Sequence, residues 1–75
     1  MSLAYSVILF DSTHDAIRAE KTLKAVLPVT LMPVPRQFSA SCGISLRFAT
    51  ELRPQIEELL QRHRLAGRIE PLNAE

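Results

Sequence analysis

Residues 4–10 read Ala-Tyr-Ser-Val-Ile-Leu-Phe, and Asp11-Ser12-Thr13 follow at once. The first stretch is short, nearly continuous in apolar character and rich in β-formers. A run of that kind is a strand covered on both faces, and therefore a central one. The polar triplet carries helix-start chemistry. Ser12 with Asp15 three residues on is an acidic variant of the capping box. From His14 to Leu27 the apolar residues fall at 16, 17, 19, 23, 26 and 27, a helical stripe. Arg18, Glu20, Lys21 and Lys24 face away, and Glu20 with Lys24 makes a favourable i,i+4 pair. A buried strand thus feeds an amphipathic helix.

Working outward, Pro28 stops that helix. Val29-Thr30-Leu31-Met32 is strand-like, and Pro33 and Pro35 confine it to an edge. Ser39-Ala40-Ser41-Cys42-Gly43 reads as a hairpin tip. Ile44, Leu46 and Phe48 then alternate with Ser45 and Arg47, the pattern of a half-buried strand. Residues 50–64 form a second helical pattern, with Leu52, Ile56, Leu59, Leu60 and His63 on one face. Pro54 fits only in its first turn. Gly67 closes this helix, and Arg68-Ile69-Glu70-Pro71-Leu72 is a weak last strand. The order β-α-β-β-α-β predicts an α+β, ferredoxin-like split βαβ sandwich. Two helices should cover one face of a four-stranded antiparallel sheet. Right-handed crossovers give the strand order 4-1-3-2, with the first and third strands central.

Seventy-five residues leave room for one domain, expected over residues 4–72. Met1-Ser2-Leu3 is a candidate expression scar and residues 73–75 a tail. One cysteine excludes an internal disulfide, and with two histidines it excludes the usual zinc spacings. No metal or cofactor is therefore expected. The lack of disulfides suits a reducing compartment, so the expected location is cytoplasmic. There is no apolar run of about 20 residues and no basic start ahead of an apolar segment, so neither a membrane span nor a secretory signal is expected.

Nine Lys and Arg against eight Asp and Glu give a net charge of +1, with no electrostatic case for nucleic acid or an anionic membrane. Arg36, Arg47, Arg53, Arg62, Arg64 and Arg68 crowd the second half, mostly as a solvated face with snorkelling stems. RNA recognition on this topology needs exposed aromatics on the central strands. Tyr5 is the only tyrosine, tryptophan is absent, and Phe48 shares the apolar parity. No Ser-His-Asp set or carboxylate pair stands out for a hydrolase.

The remaining question is whether Cys42 is a working thiol. In the expected topology the first strand ends beside the start of the third. The Cys42-Gly43 turn then shares an end of the sheet with Asp11, Ser12 and His14 at the start of helix 1. A helix N-terminus carries partial positive charge and unpaired N–H groups, which favour a thiolate. His14 and Arg36 are candidate cations acting in the same direction. The backbone around Gly43 can approach a sulfur anion closely. Asp11 opposes them. The plainer reading is a small buried filler, because Cys42 shares parity with Ile44 and Leu46. His14 is then a solvated first-turn residue and His63 a packed or rim one.

Pro33, Pro35, Arg36, Ser39, Cys42, Gly43, Leu46 and Arg47 together resemble the selenium/sulfur carrier-like family of small domains. The opening Phe10-x-Ser12 with Ala16, Glu20, Leu23 and Lys24 is similar too, so the likeness runs from about Ala4 to Leu72. The resemblance implies a carrier that holds sulfur or selenium on its cysteine as a persulfide or perselenide. Only Cys42 can take that role, with Gly43, Ser12, His14 and Arg36 in support. It implies donor and acceptor proteins as partners and no enzymatic turnover. The alternative is a non-catalytic interaction module, a homodimer in which a partner covers Tyr5, Val7 and Leu9, or their opposite-parity neighbours, on the open sheet face, with Cys42 incidental.

Overall fold

A computed structural model describes residues 4–38 and 43–72. Strand β1 is Tyr5–Leu9, helix α1 Thr13–Lys24, β2 Thr30–Pro33, β3 Ile44–Ala49, α2 Arg53–Arg62 and β4 Arg68–Pro71. A short 3-10 turn, Thr50–Leu52, leads into α2. The sheet order is β2-β3-β1-β4 and every pairing is antiparallel. Read from the other edge this is the expected 4-1-3-2, with the first and third strands central.

Period-two geometry divides the sheet into two faces. Ile8, Phe10, Leu46 and Phe48 meet Ala16, Ala19 and Leu23 of α1 and Ile56 and Leu60 of α2 in one core. Both helices therefore lie on that face. Val7 and Leu9 point to the opposite face. They stand outside the core cluster, yet Val7 is 0% and Leu9 4% exposed. The continuous apolar run of β1 thus meets cover on both sides, as a central strand requires.

The local chemistry explains the boundaries. Ser12 is the N-cap of α1, and its hydroxyl accepts the Asp15 N–H at 3.1 Å. The expected Glu20–Lys24 pair forms at 3.8 Å. Pro54 stands in the first turn of α2.

Several expectations are corrected. Helix α1 ends at Lys24 rather than Leu27, with the Val26 and Leu27 N–H groups both turned back to the Leu23 carbonyl. Beyond that point helical spacing no longer aims the side chains, and Val26 is exposed while Leu27 still packs on the core. Ile17, on the shoulder of the stripe, is also exposed. Helix α2 is preceded by the 3-10 turn and ends at Arg62, so His63 is an exposed C-cap rather than part of the apolar face.

Gly67 does not close α2. The Leu65 N–H reaches the Leu60 carbonyl at 2.8 Å and the Arg64 N–H reaches Gln61 at 3.2 Å, the two bonds of a Schellman motif. Arg64 takes its left-handed position, φ 55°. Leu65, which donates the first of these bonds, is buried in the same core cluster as Leu60, in keeping with the apolar contact that commonly accompanies the motif. Gly67 serves packing instead: a Cβ there would stand 2.7 Å from Ile8 Cγ2 and 3.1 Å from Phe10 Cε1.

Candidate functional site

The register fixes which chain segments share an end of the sheet. Leu9 pairs with Ser45 of β3 and with Arg68 of β4, and Pro33 pairs with Ile44. The end of β1, the start of β3, the end of β2 and the start of β4 therefore lie together. Helix α1 starts from this end and α2 finishes there.

Gly43 opens β3 at this end. It is exposed, has φ 79°, and leaves open space where a Cβ would stand. A left-handed residue with no steric neighbour requires glycine for its backbone alone. The Val34 N–H donates to the Gly43 carbonyl at 3.1 Å, which closes the base of the β2–β3 connection one step beyond the Pro33–Ile44 pair. Cys42, the residue before Gly43, lies outside the described residues.

The supporting residues divide. Ser12, half-buried, is committed to the cap of α1, and His14 is exposed in its first turn. Both share the Gly43 end of the sheet. Arg36 is exposed in the turn after β2, where the Phe38 N–H donates to the Pro35 carbonyl at 3.0 Å. The next residue, Gln37, donates its side-chain amide to the Leu72 carbonyl at 3.2 Å. Leu72 lies beside Tyr5, to whose carbonyl its own N–H donates at 2.9 Å. That is the opposite end of the sheet, at its far edge. The backbone at Arg36 is thus led away from Ser12, His14 and Gly43.

The face opposite the helices carries contacts that the sequence pattern did not reveal. The Arg47 guanidinium carbon sits 4.7 Å from the Tyr5 ring centroid. The two residues are diagonal neighbours on the paired central strands, within reach of a cation–π contact. Ser45 is 0% exposed, and its hydroxyl lies 3.3 Å from the Met32 carbonyl and 3.4 Å from that of Pro33. Alternation alone marked Ser45 and Arg47 as solvent-facing. Gln37 had no signal at all, because its partner is a backbone atom 35 residues away.

A β-α-β-β-α-β chain with its helices on one face, and with a left-handed glycine opening its third strand at the end where α1 begins, defines a small α+β sandwich of the split βαβ type. More particularly, the chain matches over residues 5–70 the model of the family described as "Putative Se/S carrier protein-like". It belongs to that family. No curated protein and no solved structure matches it.

Among the described residues no group of His, Cys, Asp and Glu could hold a metal ion. No helix there is long and apolar enough to cross a membrane.

Proposed function

We propose that the protein is a cytoplasmic carrier that holds sulfur or selenium on Cys42 and exchanges it between a donor and an acceptor protein. Membership of the Se/S carrier-like family over residues 5–70, a span that includes Cys42, carries this reading. The exposed, left-handed Gly43 next to it supports the reading, as does the end of the sheet that Gly43 shares with the start of α1.

The chemistry is a pair of thiolate attacks. The Cys42 thiolate attacks the outer sulfur of a donor persulfide, R–S–SH. The new S–S bond forms as the donor's S–S bond breaks, giving Cys42–S–SH and the donor thiolate. An acceptor thiolate then attacks the same outer sulfur and restores the Cys42 thiolate. One sulfur atom moves in each step with no net oxidant. A perselenide follows the same course with selenium as the outer atom. A second cysteine in the chain would resolve the persulfide into an internal disulfide and end the cycle, and there is none. His14 and the start of α1, at the same end of the sheet as Gly43, would favour the anion.

Such a thiol must react as a thiolate near neutral pH. Its alkylation rate, followed from pH 5 to 10, should rise with a midpoint below the ordinary thiol value of about 8.5. Cys42→Ser serves as the blank. A thiol that resists alkylation in the folded protein, or titrates above that value, rules against a carrier.

The interaction-module reading asks for a partner over Tyr5, Val7 and Leu9. Val7 and Leu9 are already buried within one chain, which removes the motive for it.

A further inference from the structure

All nine Lys and Arg lie among the described residues, and Arg47 alone of them is not exposed. It stands on β3 in the face opposite the helices, flanked by Val7 of β1 and Thr30 of β2. A half-buried cation gives up hydration and is ordinarily paired. Three other arginines show the usual solution: Arg53 meets Glu57, Arg62 meets Glu58 and Arg68 meets Glu70. Arg47 has no carboxylate within ion-pair distance among the described residues. Its guanidinium carbon lies over the Tyr5 ring instead, 4.7 Å from the centroid.

A ring face attracts the charge but accepts none of the ordinary hydrogen bonds that the five guanidinium N–H groups can donate. No hydrogen bond among the described residues uses those donors. The rest of the face does not cancel the charge. Glu70 and Arg68, across β1 from Arg47, are tied to each other at 3.1 Å. Among the described strand residues of this face, two arginines against one glutamate leave one positive charge, at Arg47.

We infer that Arg47, seated on Tyr5, is an anchor for a carboxylate side chain of a partner protein. A planar fork held from one side is preorganised for two parallel bonds to a carboxylate, which the point charge of a lysine is not. Partial burial strengthens such a pair relative to bulk water. A single positive charge suits a singly charged Asp or Glu better than a dianionic phosphate. Val7 and Leu9 are already closed to water, so the anchor asks for one acidic side chain and not for a broad apolar interface. Arg47 lies three residues along β3 from Ile44, the neighbour of Gly43, or about 10 Å at about 3.3 Å per residue. A partner held there extends over the Gly43 end of the sheet. That consequence for sulfur transfer rests on the carrier reading, while the carboxylate site does not.

The probes are acetyl-Gly-Glu-Gly-amide, its Gln counterpart and inorganic phosphate. The Arg47 Nε–H resonance reports one half of the contact. Tyrosine emission reports the other, because Tyr5 is the only tyrosine and the chain has no tryptophan. Per unit of Glu peptide, the Arg47 Nε–H should shift about fivefold more than those of the exposed Arg36 and Arg64. The Gln peptide should shift none of them. Arg47→Lys should cut the response of tyrosine emission about fivefold. Tyr5→Leu should reduce the Arg47 shift to that of Arg36, and Tyr5→Phe, which keeps the ring, should leave it unchanged.

Equal shifts at the three arginines would overturn the anchor, as would a Gln peptide that matches the Glu peptide. Phosphate acting at about tenfold lower concentration than the Glu peptide would replace the partner carboxylate with a free anion. A full Arg47 response in Tyr5→Leu would remove the ring from the site. An Arg47 response in a protein that takes up no sulfur from a persulfide donor would uphold the anchor and sink the carrier. Sulfur uptake without an Arg47 response would do the reverse.

Discussion

At the scale of single residues, the two glycines have opposite reasons. Gly43 is held by its backbone, φ 79° with open space around the missing Cβ. Gly67 is held by its surroundings, with Ile8 and Phe10 where a Cβ would go. Alanine should destabilise at both positions, for different causes. Gly43→Ala should cost about 1–2 kcal/mol through the left-handed backbone alone. A D-alanine at 43, introduced by chemical synthesis, should leave stability unchanged or slightly higher. Gly67→Ala should cost about 1–3 kcal/mol by overpacking two buried side chains, with no rescue by chirality. Urea denaturation of the variants gives these numbers. Equal losses from L- and D-alanine at 43 would contradict the backbone assignment.

Among the elements, the strands and helices were legible because each carries one strong pattern. The continuous run at residues 4–10, the alternation at 44–48 and the Ser12 cap all appear in the structure as local chemistry dictates. The ends of the helices were less legible. Val26 kept helical spacing past the point where α1 stops. Gly67 looked like the closing residue of α2, whereas the left-handed position fell to Arg64, where sequence preference gives no hint. An arginine there bears backbone strain that glycine would not. Arg64→Gly should therefore raise stability by about 0.5–1 kcal/mol, the relief of strain exceeding the extra freedom of the unfolded chain. A loss in the urea midpoint would mean that the arginine side chain holds the motif. The candidate site was legible only in part. Topology alone put Gly43 at the α1 end of the sheet, and the register agrees. The Gln37–Leu72 bond was hidden, because one side-chain amide meeting a distant carbonyl leaves no period in the sequence.

At the scale of the whole molecule, the burial of Val7 and Leu9 within one chain has a direct consequence. A small sandwich with a bare sheet face gains by pairing; one whose second face is closed has no such need. Sedimentation over a hundredfold range of concentration should give the mass of a single chain throughout. A dimer that persists on dilution and dissociates on a Val7→Lys change would restore the face-to-face interface. The edges of the sheet are short, and Pro33 and Pro71 stand on its two edge strands, which further limits edge-to-edge association. The central proposal is chemical: that this chain, a member of the family with one cysteine, holds a chalcogen on it. The most direct test is the intact mass of the protein after incubation with a persulfide donor. The carrier account predicts a gain of one sulfur atom, lost on adding an acceptor thiol and absent in Cys42→Ser. No gain in mass under conditions where a small-molecule thiol takes up sulfur, or an equal gain in Cys42→Ser, would contradict it.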